Sequence, residues 1–266
     1  MRLRELSMIQ YQNVSPGPHP SRLWLTVGSF EKQLEYISLN GFRVLSTDDA
    51  IHYMVRKREV TMGRPISLSF DNGYLDFYDK AFPILSDHDF PATLLISPRK
   101  VGTQRSFGEK KVPYLTWNQL RELVEKGVGI GAYEDNAWNI KNISEELVLR
   151  HVAEYKKDLE DKLGSEIRYF GVKEGVPNKK IRDRLISEGY RAFLTQCPTN
   201  QKPDLYAIGR IQVDDDDFNI FLTKISKTYL FFKDKKSWKY VRKYGLDKLA
   251  HRISETFDRL RGNRTH

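Results

Sequence analysis

The acidic residues that could do chemistry stand in three places. Asp71 leads Asn72-Gly73-Tyr74, and Glu134-Asp135 is flanked by Tyr133 and by Asn136-Ala137-Trp138. Asp214 to Asp217 is a run of four aspartates. Oxygen donors brought together suit Mg²⁺ or Ca²⁺, so Asp71, Glu134 and Asp135 are one candidate site for a divalent metal. The aspartate run could bind a cation too, but its plainer role is to cap a helix over Asn219 to Ile225. The six histidines, His19, His52, His88, His151, His251 and His266, contain no pair at metal-ligand spacing. The single cysteine, Cys197, excludes an internal disulfide and a cysteine-built metal site.

Asp71 owes its position to a strand–helix–strand unit. Ile66 to Phe70 reads as a buried strand that stops at the turn signal Asp71-Asn72-Gly73. Leu75, Tyr78, Ala81, Phe82 and Leu85 follow at helical spacing, and Ala92 to Ile96 is a second apolar strand after Pro91. Such a unit is right-handed and parallel, and ligands of parallel sheets sit at the C-terminal strand ends, where Asp71 and Asn72 lie. Asp71 then has two open readings: it contacts a ligand, or it ends the strand and bonds backbone amides of the turn. Around this unit the pattern predicts strands at Ser7 to Val14, Gly41 to Leu45, Gly127 to Tyr133, Ile167 to Phe170, Gly189 to Thr195 and Leu205 to Val213. It predicts helices at Val27 to Asn40, from Ser46 or Thr47 through Met54, and at Thr116 to Lys126, Ser144 to Leu163 and Asn178 to Glu188. Pro98 to Pro113 reads as a basic loop, and Glu134-Asp135 as an acidic loop capping the next helix.

Ser69-Phe70-Asp71-Asn72-Gly73-Tyr74, then Pro83-Ile84-Leu85, then Pro91-Ala92-Thr93 resembles the first motif of the polysaccharide deacetylases, the NodB homology domain of carbohydrate esterase family four. That motif runs T-F-D-D-G-Y, P-x-L, P-A-T. Further likenesses are Phe30 to Leu34 for F-x-x-Q-L, Gly189 to Thr195 for G-Y-x-A-A-x-T, and Ile208 to Ile211 for L-P-R-I. The resemblance implies an α/β fold, an incomplete or distorted (β/α)7-type barrel with a groove at its strand ends. It also implies metal-dependent N-deacetylation of amino sugars, with zinc held by one aspartate and two histidines. This chain departs at every ligand: Asn72 stands for the aspartate, Tyr133 and Ala137 for the histidines. Asp71 keeps the position of the general base. In the third motif, R-x-P-Y-G, Gly171 takes the arginine position, and Lys173 and Glu174 replace Pro and Tyr. Gln12 stands where the first strand carries histidine, and the late histidine that serves as general acid has no clear counterpart.

Asn binds zinc poorly, neutral Tyr is a rare ligand and Ala has no donor, so the metal is not expected; the alternative is one divalent metal on Asp71, Glu134 and Asp135. The expected function is that of a deacetylase relative without the metal triad, binding a glycan or glycolipid through Asn72, Tyr74, Tyr133, Trp138 and Glu174. The alternative is an active hydrolase of N-acetyl C–N bonds.

At 266 residues the chain fits one large domain, residues 1–226, with a basic extension at 227–266. The net charge is +9, and that extension holds 12 basic against 4 acidic residues. An anionic membrane surface is therefore a candidate partner for the helix expected over Ser237 to Arg261, and nucleic acid has little beyond charge to support it. The charged N-terminus, without an apolar leader or membrane span, reads as cytoplasmic.

Overall fold

The structure is a computed structural model that describes residues 4, 6–17, 24–56, 60, 63–196, 204–214 and 218–225, with the backbone alone at 136–138. The chain divides into two compact units, Met1–Asp214 and Asp215–His266. His19, Cys197, Asp215 to Asp217, His251, His266 and the whole extension expected from residue 227 lie outside the described residues.

In chain order the first unit holds β1 (Ser7–Tyr11), β2 (Asn13–Val14), β3 (Trp24–Leu25), α1 (Val27–Leu39), β4 (Phe42–Leu45), α2 (Thr47–Met54) and β5 (Arg64–Asp71). Then come a π-helical turn at Phe77–Ala81, α3 (Phe82–Asp87), β6 (Ala92–Ile96), β7 (Gln104–Phe107), β8 (Lys110–Pro113), α4 (Trp117–Glu125) and β9 (Gly129–Asn139). The unit finishes with α5 (Glu145–Leu163), β10 (Tyr169–Glu174), α6 (Lys179–Ser187), β11 (Ala192–Thr195) and β12 (Ile208–Gln212). The described part of the second unit is α7 (Phe218–Ile225).

Helix starts follow the side chains that can satisfy their free N–H groups. Thr26, Ser46, Ser144 and Asn178 each accept from the backbone three residues on. Thr116 and Gln119 do so reciprocally as a capping box.

All barrel pairings are parallel, in the order β1-β12-β11-β10-β9-β6-β5, and a direct β1–β5 ladder from Ser7↔Ile66 to Tyr11↔Phe70 closes the ring. This is the distorted seven-stranded β/α barrel that the motifs imply. β4 lies outside the ring order, alongside the first half of β5. Side-chain alternation sorts β5 into two faces. Ile66, Leu68 and Phe70 face the helices: Phe70 stacks on Tyr11 at 5.0 Å and meets Phe30 of α1 edge-on. Ser67, Ser69 and Asp71 take the other face. Inside the barrel, Met8, Leu95, Tyr133, Tyr169, Leu194 and Ile208 form one cluster.

Two segments differ from their sequence reading. Pro98 to Pro113 is not a plain loop, because residues 104–113 form an antiparallel hairpin, β7–β8. Its strands are largely exposed and polar, so no apolar alternation marked them. β9 does not end at Tyr133 but runs to Asn139, which puts Glu134 and Asp135 in a strand and not in a capping loop.

Candidate functional site

Asp71 ends β5 inside the barrel mouth, and its carboxylate is fully enclosed. Arg210, from β12, grips it with two nitrogens: Nη1 donates to Oδ1 at 2.5 Å and Nη2 to Oδ2 at 3.1 Å. Nη2 also donates to the Val172 carbonyl at 3.0 Å, which fixes the guanidinium between β5 and β10. Gln10 of β1 donates to Oδ2 at 2.5 Å. The Tyr133 hydroxyl is a further hydrogen-bond partner of Asp71. Burial, then the Asp71 charge, pushes the Tyr133 phenol well above its ordinary range, so it stays a neutral donor. Side-chain donors from three strands therefore hold Asp71, and the reading in which it bonds turn amides is corrected.

Asn72 follows in left-handed backbone, φ 76°, which asparagine tolerates better than most residues. Gly73 next to it also has positive φ, and a Cβ there would meet Ile96 Cγ2 at 2.5 Å. Tyr74 is 2% exposed, stacks on Tyr114 at 4.7 Å and lies 6.0 Å from Trp24. Tyr133 is 3% exposed. Neither ring offers an open face for a sugar to stack on: both are packed, with the Tyr133 hydroxyl on Asp71 and the Tyr74 hydroxyl accepting from Arg105. Ala137 and Trp138 lie in β9, and their side chains are outside the description. Glu174 ends β10, half-buried, in register with Asn139.

Alternation along β9 turns Glu134 away from Tyr133 and hence from Asp71. Its Oε2 sits 2.5 Å from His151 Nδ1 of α5, with both side chains fully enclosed, and His151 stacks on Tyr155 at 4.6 Å. Asp135 pairs with Lys100 at 3.5 Å. Asp71, Glu134 and Asp135 thus have three separate environments. Among the described residues no three His, Cys, Asp or Glu side chains converge as metal ligands. The donors at the family's zinc position do not fit zinc either: a neutral tyrosine already bonded to Asp71, an asparagine, and an alanine.

Lys173 of β10 is half-buried, and the charges of Asp71 and Arg105 both act on it. Burial lowers its pKa to about 8, the Arg105 charge adds to that, and Asp71 and Glu174 oppose it. Arg105, on the β7–β8 hairpin, donates to the Tyr74 hydroxyl at 3.5 Å.

Arg210, Gln10, His151 and Arg105 were missed as site residues from sequence. A signal existed for Arg210: an arginine between Ile208 and Ile211 in a predicted core strand calls for a buried acidic or carbonyl partner. Gly171, at the arginine position of the third motif, leaves no room for a side chain. A Cβ there would lie 2.4 Å from Leu95 Cδ1 and 3.3 Å from Tyr133 Cδ2.

The polysaccharide deacetylase family model matches residues 58–193, half of the chain and the part that carries β5, β6, β9 and β10. The chain belongs to the polysaccharide deacetylase family. It is 21% identical over 211 residues to YxkH of Bacillus subtilis (strain 168), named for the same family, covering 79% of this chain and 71% of that protein. The structure of IcaB from Ammonifex degensii superposes with a TM-score of 0.67 at 24% identity, covering 78% of this chain and 91% of that one. The Streptococcus pyogenes deacetylase PplD, solved in complex with acetate, superposes with a TM-score of 0.68 at 19% identity over 80% and 94% of the two chains. At these identities the structural likenesses speak for the fold. The residues that resemble the family's first motif lie at the end of β5, and those that resemble its second and third lie in β9 and β10.

Proposed function

We propose that this member of the polysaccharide deacetylase family recognises a glycan or glycolipid at its barrel mouth and has lost metal-dependent deacetylation. The observation that carries this reading is the state of Asp71. A general base must present a lone pair to the water it activates. The lone pairs of Asp71 are directed instead into Arg210, Gln10 and Tyr133, inside the protein. The ligand-position substitutions Asn72, Tyr133 and Ala137 support the same conclusion, because none of them supplies an anionic or imidazole donor.

Zinc titration of the purified protein and acetate release from N-acetylglucosamine oligomers test the proposal together. The expected result is no stoichiometric zinc, no release above background, and saturable binding of a glycan. Zinc-dependent release that Asp71→Asn abolishes would overturn it in favour of an active N-acetyl hydrolase.

A cytoplasmic role is part of the proposal and suits a chain with a single cysteine. Among the described residues no helix is long and apolar enough to cross a membrane. Contact with an anionic membrane surface is proposed through the basic residues from 227 onward, where 12 basic residues face 4 acidic ones in sequence.

A further inference from the structure

The ends of β1 and β5 bring two carboxamides to one place, Gln12 and Asn72. The β1–β5 ladder runs to Tyr11↔Phe70, so the residues next in line, Gln12 and Asp71, stand side by side at the strand spacing of about 5 Å, and Asn72 follows Asp71 directly. Hydrogen bonds tie the same two ends together. Gln10 donates to Asp71 at 2.5 Å, and just past Gln12 the Val14 N–H donates to Asp76 at 2.6 Å. Side chains along β1 alternate between two faces. Met8 lies in the interior cluster and Gln10 reaches Asp71, whereas Tyr11 packs on Phe30 and Phe70 on the helix side. Continued by one step, the alternation sets Gln12 on the Asp71 side, at the barrel mouth.

The Asp71 carboxylate is satisfied by Arg210, Gln10 and Tyr133. The two carboxamides beside it are not. Among the described residues nothing hydrogen-bonds the side chain of Gln12 or of Asn72. Gln12 is 9% exposed, and its exposed part is the amide, because neither amide atom is enclosed. Asn72 is half-buried and held at φ 76°. A side chain packed along its stem, with only its polar end open and unbonded, keeps its hydrogen-bonding capacity for what enters the mouth.

We propose that Gln12 and Asn72 form a carboxamide subsite for an uncharged sugar, read through a donor–acceptor pair on neighbouring ring carbons: two hydroxyls, or a hydroxyl and an acetamido group. The subsite rests on the glycan-binding reading of the same mouth and adds Gln12 to it. A carboxamide offers an acceptor oxygen and an NH2 donor without charge, so it suits a group that both donates and accepts. A phosphate or carboxylate could use only the donor half and would set each carbonyl oxygen against an oxyanion. An ammonium could use only the acceptor half. Arg210 matches the charge of Asp71, so that carboxylate does not favour a cationic sugar.

The test is calorimetric titration of the intact chain with four tetrasaccharides, built from glucose, N-acetylglucosamine, glucosamine or galacturonic acid. At least one of the two uncharged probes is expected to bind about ten-fold more tightly than either charged one, with an affinity that added salt barely changes. Preference for the N-acetylglucosamine probe assigns the hydroxyl–acetamido pair, and equal or tighter binding of the glucose probe assigns the hydroxyls. Gln12→Leu keeps the size of the side chain and removes the amide. Asn72→Gly removes the other amide and accepts the left-handed backbone. Each is expected to weaken the uncharged probe by about ten-fold. Circular dichroism reads whether the variants fold, and Asn72→Gly carries the test alone if Gln12→Leu does not. Unchanged affinity in folded variants would overturn the subsite and leave the glycan reading standing, as would tighter binding of a charged probe. Failure of all four probes to bind would overturn both.

Discussion

Arg210 and Asp71 are a buried pair whose value depends on both partners staying. Removing one leaves a charge enclosed and unmatched, which typically costs about 3–5 kcal/mol, whereas replacing both can be near neutral. Arg210→Met is therefore expected to lower unfolding stability by roughly that amount in urea titrations, and Arg210→Met with Asp71→Asn to recover most of it. Recovery of nothing would mean that Arg210 acts mainly through the Val172 carbonyl. Gly171 makes the complementary point about space. Its missing Cβ would lie 2.4 Å from Leu95, so Gly171→Ala should cost about 1–3 kcal/mol by overpacking. A paired Leu95→Val is expected to relieve part of that cost, as the same titrations would read. The arginine that meets Asp71 comes from β12, while the position at Gly171 is filled by a leucine and a tyrosine ring. Neither substitution is interpretable from the motif alone, because the motif does not say which side chains share the barrel interior.

Among the elements, β9 and the stretch after β5 carry the most consequence. β9 is tied to α5 by Glu134 and His151, both enclosed. Glu134→Gln keeps a hydrogen-bonding side chain there, but Glu134→Leu strands the imidazole. We expect the second to cost about 1–3 kcal/mol and the first less, measured by thermal unfolding. After β5, the π-helical turn at Phe77–Ala81 is entered through Asp76, whose Oδ2 accepts the Val14 N–H at 2.6 Å while Oδ1 is buried without a hydrogen-bond partner. Burial raises the Asp76 pKa from 3.8 to about 7, against the opposing pull of backbone N–H groups. The folded state thus holds a proton that the unfolded chain has released, between about pH 4 and pH 7. Its contribution is favourable at the acidic end of that window and is lost as pH rises through about 7. Asp76→Asn, which can still accept from Val14, is expected to flatten this slope and to be more stable than the parent at pH 8. Unfolding titrations from pH 4 to pH 8 check it, and an unchanged slope would show that the carboxyl is ionised throughout.

At the scale of the whole molecule, the net charge of +9 resides almost wholly in residues 227–266, and this leads to a prediction of its own. The chain should sediment with vesicles containing anionic lipid at low salt, less so at high salt, and a chain ending at residue 226 should not. Binding that survives the truncation would place the contact on the barrel unit. Much of the architecture was legible beforehand. The strand at Ile66 to Phe70, the turn after it and the helix starts at Ser46 or Thr47, Thr116, Ser144 and Asn178 are local: a residue's own backbone preferences and its near neighbours decide them. The residue types at Asn72, Tyr133 and Ala137, on which the proposed loss of zinc rests, are likewise plain in the sequence. What local sequence could not decide was pairing across the barrel. Asp71 and Arg210 are 139 residues apart, Glu134 and His151 sit on different elements, and the hairpin that carries Arg105 shows no apolar alternation. Closing β1 onto β5 fixes which strand ends face one another. The sequence by itself determined the family and the strand ends around Asp71. Only the tertiary structure decided that Asp71 is held by Arg210, Gln10 and Tyr133. Contacts between distant strands depend on register and ring closure, which no stretch of sequence contains alone.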